Sequence, residues 1–580
     1  MSNNPFEKII EKGNQDKLGW ILFVGSLIFY CLVKLPFNLS VICSSCNEGF
    51  FLVYGMYLLD GNRINFEPLF VSVFTIIEGI FGFGAASIIA VHFVQNLMVI
   101  LNGILIFIIT RKLLKSNFWS GFAVLAWILM LVTPIGEWKV RLEYESVFSL
   151  EAEYFCVFLS LAAIYLLILS LEKVIHSIND KWKIFSVIAG ILSMTSIMFK
   201  PNGSIITLAV ICWFFYGWLF NKKYIKVVTK IFLFFLIGFL SAFAFFNILI
   251  CFKYEDLLSY WQFQFSLGSY SKDFLHSPRK FLEMILKFMT RGTSSVNNFI
   301  LFFLAFIFFI WGLVRNIFVN EKIIPLCLFC PLLSIWGIGS VCVIIAPGIY
   351  GSYYYVLVWP LVAFFLTLGL RDLFHYVKVF NSNLVKYVTL ILVLILGFGR
   401  LYVVLPGYLF LVTEQIKLNF LLQPESFQDP VKLPRASYKT NNPRRDAVLS
   451  LADFINNLLP NKQDTFFIFN FTEGHQDFSP TFYVYAKRLP PSHIFSDHLH
   501  QDIFLKKKLK ILTKDFTKTP PRLIIIPKVL RMKAWQERKL ASFNNWLATY
   551  INKNYSHQGS FTYLHIGLDS PETYHVFLKK

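Results

Sequence analysis

Two carboxylates set among aromatics are the first residues here that could do chemistry. Asn47-Glu48-Gly49 is followed by Phe50, Phe51, Tyr54 and Tyr57, then by Leu58-Leu59-Asp60-Gly61 and Asn65-Phe66-Glu67-Pro68-Leu69. A carboxylate can act as a general base toward a hydroxyl, or hold a divalent cation. A solvated loop does not need so apolar a setting. A half-buried carboxylate costs desolvation energy unless it is paired or put to use. Glu48 and Glu67 are therefore the leading candidates, with Arg63 between them. Asp60, Glu78 and a second acidic group (Glu137, Glu143, Glu145, Glu151, Glu153) read more simply as solvated loop acids.

The elements that must position these residues are membrane helices. Of 580 residues, 56% are hydrophobic and 15% charged, with 65 Phe. A soluble chain of this size could not bury so much apolar surface. Runs of about 16–25 apolar residues match the length needed to cross a bilayer. Eleven candidate spans are read: Leu18–Val33, Ala85–Thr110, Phe118–Val132, Phe155–Leu171, Ile184–Phe199, Ser204–Phe220, Ile231–Cys251, Phe299–Val314, Pro325–Ala346, Tyr355–Leu370 and Tyr387–Leu405. The first lacks a small-residue cleavage site and reads as a retained anchor.

Basic residues set the topology. Lys8, Lys12 and Lys17 precede the first span, and alternate short loops carry Arg111/Lys112/Lys115, Lys173/Lys181/Lys183, Lys222/Lys223/Lys226, Arg315/Lys322 and Arg371/Lys378/Lys386. The positive-inside rule makes that side cytoplasmic. The loops 43–84, 133–153 and 252–298 then face out, as does everything after residue 405. Much of the net charge of +20 is thus topology signal. The remainder favours anionic lipid headgroups and does not call for nucleic acid.

The segment 406–445 reads as a linker and 446–580 as a separate extracytoplasmic α/β domain. In it, Asp446–Leu459 and Met532–Tyr555 read as helices. Thr465–Asn470, Arg522–Pro527, Phe561–Gly567 and Tyr574–Leu578 read as strands. The nine cysteines form no disulfide framework and no four-ligand zinc pattern. Cys43-Ser44-Ser45-Cys46 reads as two ordinary thiols more readily than as a redox pair.

Lys200 ends an apolar span beside Pro201 on the outer side. It reads either as a cation for a phosphate or as a snorkelling interfacial lysine. Arg279, Lys280 and Arg291 in the large outer loop are secondary phosphate candidates. Tyr353, Tyr354 and Tyr355 suit sugar stacking or phosphate binding; an interfacial aromatic belt explains them as well. His92, Gln95 and Asn96 share one face of the second span, where interhelical hydrogen bonding is the simpler account.

In order, these motifs resemble the C-type membrane glycosyltransferases, which include protein O-mannosyltransferases, lipid A aminoarabinose transferases and RgtA/B/C/D-like bacterial proteins. The matching segments are Asn47-Glu48-Gly49, Leu58-Leu59-Asp60-Gly61, Phe66-Glu67-Pro68-Leu69, an acid opening the fourth span (Glu151 or Glu153), Phe199-Lys200-Pro201, Tyr353-Tyr354-Tyr355 with Trp359-Pro360, and in the tail Tyr485-Ala486-Lys487-Arg488-Leu489-Pro490-Pro491 with Pro520-Pro521-Arg522-Leu523-Ile524-Ile525. The resemblance covers nearly the whole chain. It implies a polytopic helical fold of about eleven spans and transfer of a sugar from a polyprenyl-phosphate carrier to a glycan, lipid or protein acceptor. It also implies Glu48 and Glu67 in catalysis, Glu67 as the ligand of any divalent metal, and Lys200, Arg63, Tyr353, Tyr355, Arg279 and Arg291 around the substrate. A bacterial inner membrane with the tail outside is the expected location, and the endoplasmic reticulum the alternative. The chain departs from the family at Asn47, where relatives carry the Asp that is the usual base. That departure keeps a catalytically inactive scaffold open as a reading, beside a lipid-linked sugar transporter.

Overall fold

A computed structural model describes residues 5–38, 46–61, 68–132, 150–175, 180–220, 225–253, 257–258, 261, 307, 311, 332–341, 356–380, 452–468, 479–492, 505–527, 545–563 and 572–580. The chain forms two units. One comprises Met1–Leu35 and Val94–Phe410, the other Pro36–Phe93 and Leu411–Lys580.

The first unit is helical. It holds most of α1 (Pro5–Asn38) and of α4 (Ala85–Leu114), followed by α5 (Asn117–Val132), α6 (Ala152–Ile175), α7 (Lys181–Phe199), α8 (Ser204–Phe220), α9 (Ile225–Lys253) and α10 (Trp359–Phe380). Five described helices are long and apolar enough to cross a membrane, and four more apolar helices are shorter. The expected spans Phe299–Val314 and Tyr387–Leu405, and most of Pro325–Ala346, lie outside the described residues.

Residue type explains how these helices pack. Gly19 of α1 and Gly121 of α5 let two backbones meet directly, since a side chain on either would strike the other helix. Gly190 of α7 and Gly238 of α9 make the same kind of crossing: a methyl on Gly190 would meet the Phe235 carbonyl, and one on Gly238 the Val187 carbonyl. Small residues at such crossings bring helices close where lipid offers no hydrophobic drive to associate. Meanwhile Ile21, Ile28 and Leu32 of α1, and Leu233, Ile237 and Ile248 of α9, stay exposed. Continuous stripes of that kind suit acyl chains and would be a liability in water.

The second unit joins a helical pair to a small sheet. Helix α2 (Cys46–Leu59) packs on α3 (Pro68–Phe81) through Phe51, whose ring stacks on Phe74 at 5.4 Å and meets Phe70 edge-on at 4.5 Å. The C-terminal part contains α11 (Ser479–Ala486), α12 (Leu505–Lys518) and strands β1 (Phe466–Ile468), β2 (Leu523–Pro527), β3 (Tyr555–Tyr563) and β4 (Glu572–Lys579), in the order β1-β2-β4-β3. β1 and β2 are parallel, as a crossover carrying α11 and α12 requires; the other pairs are antiparallel. β3 is an edge strand, and a bulge at His557/Gly559 disturbs its register. Helix 545–554 stops one residue before the sequence-based boundary, because Tyr555 already belongs to β3. Its hydroxyl donates to the Pro521 carbonyl at 2.6 Å, drawing it into the sheet. α12 was not anticipated from the sequence, although Leu509, Leu512 and Phe516 form its buried stripe.

Candidate functional site

Two of the candidate site residues, Glu153 and Lys200, meet where α6 begins and α7 ends. Pro201 disfavours helical backbone at the residue before it, so Lys200 leaves α7 in extended conformation, with φ −161° and ψ 142°. Pro201–Gly203 then form a single 3-10 turn leading into α8. Gly203 is required there, since any side chain would collide with Ser196. The Phe155 and Phe199 rings stack 4.7 Å apart, 7° from parallel, and hold the two helix ends together.

That packing puts the Lys200 ammonium 2.6 Å from the Glu153 carboxylate. Glu153 is wholly buried and Lys200 nearly so, with 17% of its side chain exposed. Two expectations need correction. Lys200 is neither a lone cation nor a snorkelling one. Glu151 and Glu153 are not solvated loop acids either, for both are buried. Glu153 Oε1 takes the lysine, while Oε2 has no hydrogen-bond partner among the described residues.

A second buried cation lies nearby in the chain's hydrogen-bond network. Lys34, near the C-terminal end of α1, is fully buried and donates to Gln95 Oε1 of α4. Gln95 also hydrogen-bonds the side chain of Tyr154, the residue after Glu153. Asn102 of α4 donates to the Tyr154 carbonyl at 3.1 Å. Gln95 thus serves interhelical bonding, as its position on the helix face predicts. Lys34 was missed. The available signal was a lysine between Val33 and Leu35, at the end of a long apolar run.

In the other unit, Glu48 lies in the first turn of α2, so the backbone there is helical. Asp60 is exposed just beyond the helix. Glu78 of α3 departs from the bland reading: it is 2% exposed, rests on the Gly55 backbone of α2, and neither oxygen has a partner among the described residues. Burial pushes its carboxyl up to about 9. Helix α2 also touches the tail motif, as Tyr57 donates to the Pro490 carbonyl at 2.6 Å. Arg488 of that motif is a structural anchor. It is buried and donates to Asn456 Oδ1 at 2.9 Å, the Asp464 carbonyl at 3.0 Å, and the Asn461 and Leu459 carbonyls.

Glu67, Arg63, Tyr353, Tyr355, Arg279, Lys280 and Arg291 lie outside the described residues. Among the described residues no three metal-binding side chains converge.

No protein-family model matches the sequence, and no curated protein matches it. Solved structures do match in fold. The oligosaccharyltransferase of Archaeoglobus fulgidus, in complex with zinc and sulfate, superposes with a TM-score of 0.54 at 13% identity, over 94% of this chain and 72% of that one. Its apo form gives 0.50 at 13% identity, over 95% and 75%. ArnT from Cupriavidus metallidurans, bound to undecaprenyl phosphate, gives 0.46 at 12% identity, over 96% and 98%. The fold shared with the oligosaccharyltransferase is that of the C-type membrane glycosyltransferases.

Proposed function

We propose that this chain transfers a sugar from a polyprenyl-phosphate carrier to a hydroxyl of a lipid, glycan or protein acceptor, on the non-cytoplasmic face of a bacterial inner membrane. The observation that carries the reading is the buried Glu153–Lys200 pair where two spans meet. A charged pair at a helix break inside an apolar bundle is costly to keep and marks a working site.

Lys200 is the cation for the carrier phosphate. It is the partly exposed member of the pair, and a phosphate is a stronger partner for it than a single carboxylate oxygen. Its charge stabilises the glycosyl phosphate bond's departing oxygen as negative charge builds there. Donor binding draws Lys200 from Glu153, whose carboxylate then has both oxygens available to accept hydrogen bonds from sugar or acceptor hydroxyls.

Glu48 is the base. The acceptor hydroxyl oxygen attacks the anomeric carbon and its proton passes to Glu48. The bond from that carbon to the phosphate oxygen breaks, and the electron pair leaves with the carrier phosphate. Asn47 cannot take the proton, and Glu48 is its neighbour at the head of α2. Glu67 orients the acceptor or holds a divalent ion. Arg63, Arg279, Arg291, Tyr353 and Tyr355 complete the substrate surroundings.

The test is release of radiolabelled sugar from a polyprenyl-phosphate donor by the purified protein. Glu48→Gln keeps size and hydrogen bonding, so it is expected to fold normally and lose about 10²–10⁴ in rate. Near-full activity in Glu48→Gln with none in Glu67→Gln would swap the two roles. No release by the wild-type chain with any sugar donor would return the transporter and scaffold readings.

A further inference from the structure

The sheet of the tail domain gathers cations at one of its ends. β1 and β2 begin there, β3 begins there, and antiparallel β4 finishes there, because Tyr555 opposes Lys579 and Leu523 opposes Leu578. Each strand brings a basic residue to this end of the ladder or just beyond it. Lys462 precedes β1, Lys518 and Arg522 precede β2, Lys553 precedes β3, and Lys579 and Lys580 close β4. Backbone hydrogen bonds stitch the four segments together. Arg522 N donates to the Thr465 carbonyl at 2.8 Å, Lys579 N to the Arg522 carbonyl at 2.9 Å, and Lys580 N to the Asn554 carbonyl at 2.9 Å.

Lys462, Lys518, Arg522, Lys553 and Lys580 are exposed. Lys580 turns its ammonium onto the Asn552 and Lys553 carbonyls and caps helix 545–554; the others project outward. The acid in these segments is Asp464, whose charge acts on buried Arg488. Lys510 and Lys514 extend the basic surface along the exposed face of α12. The nearest acid on that helix, Asp515, accepts a hydrogen bond from Ser492 at 2.6 Å. Among the described residues, eight cations against two carboxylates is not the alternating charge of an ordinary solvated surface.

We propose that this end of the sheet docks on anionic phospholipid headgroups. Phosphate is the ligand chemistry that clustered Lys and Arg recognise best. The lipid is the favoured source because the same chain carries its own apolar spans, which hold the tail near a bilayer at high effective concentration. Each cation near an anionic surface adds a roughly fivefold gain, so a few suffice for docking. The proposal depends on membrane anchorage and not on sugar transfer.

The test is hydrogen exchange on the full-length chain in nanodiscs of phosphatidylcholine, with and without phosphatidylglycerol. Docking should slow exchange in the 518–523 and 551–556 segments by roughly fivefold in the anionic discs, with the effect lost at high salt. The variant Lys518→Glu/Arg522→Glu/Lys553→Glu should lose the lipid response, as should the milder Lys518→Gln/Arg522→Gln. Unchanged exchange at Phe467 and Ile524 confirms that the sheet still folds. Equal exchange in both lipids would overturn the proposal, as would a lipid response that survives charge reversal. Equal protection by soluble polyphosphate in phosphatidylcholine discs would also overturn it, in favour of a phosphorylated polymer.

Discussion

The Glu153–Lys200 pair shows how much one residue's partner changes its reading. A lysine ending an apolar helix beside proline was legible from the sequence as a phosphate candidate. Its partner was not, because no spacing rule joins two residues 47 positions apart. The partner alters the expected mutant. Lys200→Met strands a fully buried carboxylate, a change that typically costs about 3–5 kcal/mol, so the variant should melt earlier as well as bind donor poorly. Lys200→Met/Glu153→Met removes both charges and should recover most of the thermal stability while transfer stays lost. Thermal unfolding in detergent beside donor titration separates the two effects. A single mutant that melts like wild type would mean that the pair contributes nothing to the fold.

Glu78 gives a residue-scale prediction with a defined pH sign. Its native carboxyl titrates at about 9 and its unfolded carboxyl at the ordinary 4.5. Between those values the unfolded chain binds fewer protons than the native one. Stability therefore falls as pH rises through the window, and the neutral form supports the fold best below it. Glu78→Met removes the titrating carboxyl and keeps the volume, so it should flatten that fall and raise the melting temperature more at pH 8 than at pH 5. An equal change at both values would show that Glu78 has a partner in the native protein. Glu78 stands in an apolar run with Phe74 and Phe81 on either side, a setting like that of Glu48 and Glu67, so the signal that could have marked it was in the sequence.

At the scale of elements, long apolar periods were readable and everything set by close approach was not. Helices occupy the positions of the first seven expected spans, five of them long and apolar enough to cross a membrane, and α8 matches Ser204–Phe220 at both ends. Helix length follows from apolar run length, and its ends follow from Pro, Gly and charge, all written locally. α12 was missed because Leu505–Lys518 is dominated by lysine, and its three buried side chains matter only once the sheet is there to receive them. The Gly190–Gly238 crossing was invisible for the same reason. It supplies the sharpest element-scale prediction. Gly238→Val would push a branched side chain into the Val187 carbonyl, and no flexible side chain is there to yield. The α7–α9 pair should separate, taking the Lys200 end of α7 with it. Loss of folded protein on extraction, with Gly25→Val tolerated because no described residue comes within 4 Å of a Cβ there, is the expected contrast. Equal tolerance of both would place the two helices further apart than the structure does.

At the scale of the whole molecule, the chain's function turns on which side of the membrane its parts occupy. From the alternate basic loops we propose that the segment containing Glu48 lies outside, along with the whole chain after residue 405. The structure adds a constraint that the loop charges do not contain. Tyr57 of α2 donates to the Pro490 carbonyl of the tail, in a buried hydrogen bond that spans 433 residues. No bilayer can lie between two groups 2.6 Å apart, so the Glu48 helix and the tail must share one side. An even number of membrane crossings between Tyr57 and Pro490 follows. Cysteines introduced at Asn62 and at Gln476 should therefore label together with an impermeant reagent from outside intact cells, and neither should label only after permeabilisation. Labelling of one from each side would break the span parity and the Tyr57–Pro490 contact at once, and would remove the Glu48 helix from the face where we propose that sugar transfer takes place.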